Sequence, residues 1–135
     1  MDILFLDANV LFTAAHNPDG KAAFLFDAPR YGWWRLVSSS HAVAEAERNI
    51  AIKAPHRVAR LRGLRERIDI APQPPMVRLA ISLPEKDQPI YLAARAIHAT
   101  HLLTGDLKHF GPHMNRPEVS DGMVIQTVAE YLRSL

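Results

Sequence analysis

The chain has 135 residues, 48% of them hydrophobic and 22% charged, a balance that supports a sizeable core in one domain and excludes intrinsic disorder. Sixteen Lys+Arg against fourteen Asp+Glu leave a formal charge of only +2, so no global field marks a polyanion binder. Cysteine is absent, which excludes disulfides, thiolate metal sites and a thiol nucleophile within this sequence and fits a reducing compartment.

The N-terminal apolar segment carries Asp2, Asp7 and Asn9 with no basic flank, unlike a signal peptide, and no apolar run reaches membrane-spanning length. The expectation is a cytoplasmic protein with one domain over residues 1–135. Residues 3–6 form a short continuous apolar run, as in a parallel strand buried on both faces. Asp7 stands at the carboxyl end of that run, where open α/β sheets bind ligands. Asp7 and Asn9 also suit an ordinary N-cap for a helix over residues 10–15. Asn17-Pro18-Asp19-Gly20 reads as a turn, and residues 21–27 as a second helix ended by Pro29.

Residues 33–37 read as a strand in which the adjacent Trp33 and Trp34 face opposite sides, an arrangement for packing rather than for stacking on bases. Ser38, Ser39 and Ser40 are N-cap candidates for a helix over residues 41–53, ended by Pro55. An amphipathic helix over residues 56–67 turns Val58, Leu61 and Leu64 inward and arginines outward. Residues 68–70 are a strand candidate, Pro72, Pro74 and Pro75 indicate a loop, and residues 76–83 suit either strand or helix. A helix opens at residues 84–87 and runs over 88–98 with Pro89 in its first turn. Residues 101–104 are a strand, 107–118 irregular and 123–126 a last strand, and Thr127 to Glu130 has capping-box spacing before a C-terminal helix. The alternation predicts a three-layer α/β/α sandwich with a mainly parallel sheet.

Carboxylates recur at comparable places along this pattern. Asp7 and Asp106 are each the first acid after a short apolar strand, so in a parallel sheet both emerge on one edge. Glu45 shares a helix face with His41, Asn49 and Ile52, with Glu47 as its rival, and Asp87 stands at the mouth of a helix. Each acid has a bland reading as a cap or a surface ion-pair partner. Together they suit a hard divalent cation, magnesium or manganese, which takes oxygen ligands and removes the mutual repulsion of clustered acids. Such an ion activates water for phosphodiester hydrolysis. A basic stripe from Arg48 through Lys53, Arg57 and Arg60 to Arg67 is either a solvated helix face or a contact for a nucleic-acid backbone. His98, His101, His109 and His113 have zinc-like spacing but lie on different elements without a cysteine to complete a site, while His109 and His113 remain candidates for substrate contact or proton transfer.

Phe5-Leu6-Asp7-Ala8-Asn9-Val10-Leu11, Ala44-Glu45-Ala46-Glu47-Arg48-Asn49-Ile50, Asp87-Gln88-Pro89-Ile90 with Ala93-Ala94, and Leu103-Thr104-Gly105-Asp106-Leu107-Lys108-His109-Phe110 resemble, in order and nearly end to end, the four acidic motifs of the PIN domain, a family that includes the VapC-type toxin ribonucleases. The resemblance implies a cleft of Asp7, Glu45, Asp87 and Asp106 that holds Mg2+ or Mn2+ and hydrolyses RNA. It makes Asn9 and Thr104 polar helpers, and it implies an antitoxin partner and a homodimer. Arg48, Lys53, Arg57, Arg60 and Lys108 are the candidate RNA contacts. Lys108 departs from the pattern, standing where many members carry a further acid, which implies a weak or absent second metal site. An RNA-processing nuclease with no antitoxin, and a non-catalytic RNA-binding or protein-interaction module on the same fold, stay as alternatives. A haloacid-dehalogenase-type phosphatase fits less well, because it needs a second Asp where Asn9 stands.

Overall fold

In the computed structural model, which describes residues 1–27 and 32–135, five strands form one parallel sheet in the order β3-β2-β1-β4-β5. These are β1 (Asp2–Leu6), β2 (Trp34–Ser39), β3 (Asp69–Ala71), β4 (His101–Leu103) and β5 (Val124–Gln126). Helices α1 (Ala8–His16), α2 (Lys21–Asp27), α3 (Ser40–Lys53), α4 (Val58–Arg65), α5 (Gln88–Ala96), α6 (Leu107–Phe110) and α7 (Val128–Arg133) flank it. Leu4, Phe5 and Leu6 of the central strand are wholly buried, as expected of a parallel strand covered on both faces. Each such side chain contributes roughly 1.5–3 kcal/mol of burial free energy. No helix among the described residues is long and apolar enough to cross a membrane.

The strand order reverses direction beside β1. The chain steps outward through β2 and β3, then returns to the other side of β1 as β4 and β5. A crevice therefore opens between the carboxyl ends of β1 and β4, the topological switch point at which open parallel sheets bind ligands. Register fixes the two strands there: Leu6 pairs with Leu103, and the Asp7 amide donates to the Leu103 carbonyl at 3.1 Å.

Most predicted elements are present, with several corrections. The second strand begins at Trp34, so Trp33 precedes it and is exposed while Trp34 is buried. Trp34 donates from Nε1 to the Leu25 carbonyl and meets Tyr131 edge-on, which is the packing role expected of it. Ser39 caps α3 by accepting from the Ala42 amide. Residues 76–83 are neither strand nor helix. The proline-rich chain before them takes no regular form, and Ile81 and Leu83 anchor the stretch in the core. The fifth helix ends at Ala96 rather than at His98, which adopts a left-handed conformation (φ 56°). The segment after Asp106, expected to be irregular, opens with α6 and one 3-10 turn. The expected helix end at Pro29 lies outside the described residues.

Thr127 and Glu130 form the predicted capping box at the start of α7. The Glu130 carboxylate accepts from the Thr127 amide at 3.0 Å and the Thr127 hydroxyl from the Glu130 amide at 3.1 Å. The amide bond of Thr127 holds the Glu130 carboxyl below its ordinary range. A carboxyl depressed on folding contributes stability above its unfolded pKa, and that contribution is lost as pH falls through the folded value. Glu130→Gln is therefore expected to cost about 0.5–1 kcal/mol in urea denaturation at neutral pH, a difference that shrinks in acid below the ordinary glutamate range.

Candidate active site

The carboxyl edge of β1 and β4 opens into a cleft of about 420 Å³ whose walls include Asp7, Glu45, Asp87 and Asp106. These acids come from four separate places: the end of β1, the second turn of α3, the entrance to α5 and the turn after β4. Asn9, Asn49, Lys53 and Lys86 also line the cleft. Glu47 does not belong to it. It is exposed and borders a different depression with Arg48 and Arg62, so the structure places Glu45 on the cleft wall and its rival outside. Asn49 and Lys53 follow Glu45 at helical spacing, whereas Ile52, expected on the same face, is exposed, and His41 lines a separate groove.

Asp7 is buried and fully engaged. Its Oδ1 accepts from the Ala8 amide at 2.7 Å, and its Oδ2 accepts from the Thr104 hydroxyl at 2.8 Å and from Asn9 Nδ2 at 3.1 Å. The Thr104 hydroxyl in turn accepts from the Asp106 amide at 3.0 Å, and Asn9 Oδ1 accepts from the Gly105 amide at 2.6 Å. Asn9 and Thr104 thus tie Asp7 and the first helix to the turn after β4 that carries Asp106. A Cβ at residue 105 would lie 3.3 Å from Asn9 Oδ1, so glycine suits that close approach. Burial pushes the Asp7 carboxyl up, and Asp87 and Glu45 push the same way, against the hydrogen bonds from Thr104 and Ala8.

Asp87 settles differently. It precedes α5 at the N-cap position, yet its side chain makes no capping hydrogen bond. The residue is 7% exposed, and its Oδ2 is buried with no hydrogen-bond donor aligned on it. Burial pushes this carboxyl up as well; His109 and Lys86 oppose the rise, and Asp106 and Glu45 add to it. A buried carboxylate without a cap or an aligned donor is costly unless a cation compensates it.

Asp106 caps α6, accepting from the His109 amide on Oδ1 at 3.1 Å. Its Oδ2 lies 2.8 Å from His109 Nδ1, which is also 2.9 Å from Asp87 Oδ2. Neither contact is an aligned hydrogen bond, since the ring nitrogen and the Asp87 oxygen both lack a partner in direction. Asp87, Asp106 and His109 each present one ligand atom within 4.8 Å of the other two. This donor set suits a divalent cation, and the orphaned Asp87 oxygen is the observation that favours one. The sequence did not single out His109 as a neighbour of the acids, because α6 was not expected. A helical turn after Asp106 brings back the residue three positions on. Lys108, one residue earlier, is exposed.

The remaining histidines are scattered. His98 is exposed, His101 packs on Tyr131, and His113 lies against the Ser82 carbonyl. Among the described residues they form no metal-binding group with one another. Of the basic candidates, Lys53 reaches the cleft, and Arg48 borders the depression beside Glu47. Arg60 donates to the Ala14 carbonyl at 3.3 Å, joining α4 to α1, and Arg57 is half-buried. Lys86, on the cleft wall, was not among the candidates.

The five-stranded parallel sheet flanked by helices matches a PIN-like α/β fold. A chain in the crystal structure of VapBC2 from Rickettsia felis bound to a DNA fragment from their promoter has the same fold. It superposes with a TM-score of 0.63 at 14% sequence identity, over 93% of this chain and 98% of that one. No protein-family model matches the sequence, and no curated protein matches it.

Proposed function

We propose that this chain is a nuclease domain over residues 1–135 that hydrolyses phosphodiester bonds in RNA with Mg2+ or Mn2+. The observation that carries the proposal is the convergence of four acids from distant parts of the chain on one cleft, one of them a helix-entrance aspartate that caps nothing. Asp7, Glu45, Asp87 and Asp106 would hold the ion. When bound, it supplies Lewis-acid activation of water and neutralises charge on the scissile phosphate.

The chain's own residues do the positioning. Thr104 and Asn9 hold the Asp7 carboxylate in one orientation by donating to its Oδ2. Lys53 and Lys86 place positive charge on the walls of an otherwise acidic cleft, where each can donate to a phosphate oxygen of an incoming strand. Arg48, Arg57, Arg60 and Lys108 do not line the cleft and would be further contacts for the strand outside it. The resemblance of the motifs and the likeness of fold to a VapBC2 chain support reading the domain as a cytoplasmic toxin ribonuclease restrained by an antitoxin that covers the cleft, and assembled as a homodimer.

The helix position provides a paired test. Glu45→Gln is expected to reduce divalent-dependent cleavage of structured RNA by at least about a hundredfold, and Glu47→Gln to leave it within about twofold, an exposed residue away from the cleft having no part in the chemistry. Equal activity in both variants, from preparations free of contaminating nuclease, would remove Glu45 from the site.

A further inference from the structure

We infer that His109 is a nitrogen ligand of the cation held by Asp87 and Asp106, so that this centre prefers imidazole-accepting transition-metal ions over Mg2+. The inference rests on the metal-dependent reading above and assigns one of its ligands. The backbone dictates the placement. Asp106 Oδ1 accepts from the His109 amide, closing the first turn of α6 and returning the imidazole to the carboxylate that caps it. Nδ1 then lies 2.8 Å from Asp106 Oδ2 and 2.9 Å from Asp87 Oδ2. Cis ligands bonded at about 2.1 Å in an octahedron stand about 3.0 Å apart, so these separations match the edges of one coordination polyhedron.

Direction agrees with distance. If His109 were simply a hydrogen-bond donor to the acids, its N–H would be aligned with one of them; it is aligned with neither, and Asp87 Oδ2 is left buried without a donor. Three ligand atoms therefore share one small volume, while Asp87 is more than nine-tenths buried beside them. Their composition sets the preference. Carboxylate and water suit magnesium, whereas an imidazole nitrogen favours later first-row ions, whose affinity for nitrogen rises along the series.

The test uses the metals alone, at one fixed pH and with no RNA. Electron spin-echo modulation of Mn2+ bound to the wild type is expected to show coupling to a directly bonded 14N, absent in His109→Ala. Calorimetric titration is expected to show Co2+ binding weakened at least about tenfold in His109→Ala and His109→Gln, with Mg2+ binding changed by less than about twofold. Circular dichroism checks the fold of both variants, and the wild-type spectrum decides the question if neither folds. Bound Mn2+ without nitrogen coupling, or Co2+ binding as tight or tighter in the variants, would show the imidazole to be a counter-ion standing in the cation's place. That outcome overturns the ligand assignment and leaves the nuclease reading intact. A wild type that binds none of these ions removes both.

Discussion

Asp7→Asn is expected to lower divalent-dependent RNA cleavage by at least about a hundredfold and, at the same time, to raise the melting temperature of the metal-free protein. The two effects have one cause. Burial pushes the Asp7 carboxyl up, and the charges of Asp87 and Glu45 push it further, beyond what the bonds from Thr104 and Ala8 recover. A carboxyl whose folded pKa exceeds its unfolded value binds more protons in the native state between the two values. Stability therefore falls as pH rises through that window, and the penalty persists at neutral pH. Asparagine keeps an acceptor for the Ala8 amide and removes the charge. Asn9 retains the Thr104 hydroxyl as an alternative acceptor at 3.3 Å. Calorimetry in chelator should find the variant more stable than wild type at neutral pH, with the gap closing below the ordinary aspartate range, where both side chains are neutral. A melting temperature below that of wild type at neutral pH would mean that Asp7 serves mainly as a helix cap.

Asp87→Asn separates site from cap more sharply. If Asp87 capped α5, its loss would cost roughly 0.5–2 kcal/mol of stability. The side chain makes no such bond, and burial with Asp106 and Glu45 nearby disfavours its charge. The expectation is an unchanged or higher midpoint in urea for the metal-free variant, together with a loss of cleavage of at least about a hundredfold. A destabilised variant that still cleaves RNA would assign Asp87 to helix capping alone.

Much of this arrangement is legible in the residues. The apolar runs ending at Asp7 and Asp106 mark parallel strands whose carboxyl ends share an edge, and the sheet makes them neighbours. What a run of residues does not encode is which strands adjoin. That depends on the reversal of strand order beside β1, a property of the whole chain. Helical periodicity alone left Glu45 and Glu47 unresolved, because the two differ only in which neighbouring element each faces once α3 packs against α1. His109 reads in the sequence as a candidate for substrate contact or proton transfer, and its place beside the acids is hidden for a local reason. A four-residue helix between Asp106 and Gly111 is too short to show periodicity, and its single turn sets the imidazole against the acids. The capping roles expected of these acids are also present in part. Asp7 and Asp106 do cap their helices while lining the cleft, whereas Asp87 stands at a helix entrance without capping it.

Divalent-dependent hydrolysis of RNA in the cleft between β1 and β4 is tested most directly by incubating a panel of structured RNAs with the purified protein in Mn2+ and in chelator, beside Asp7→Asn prepared identically. Discrete cleavage products are expected with Mn2+, disappearing on chelation and absent with the variant. Equal cleavage by both proteins, or none by the wild type on any RNA with Mn2+ or Mg2+, would contradict it.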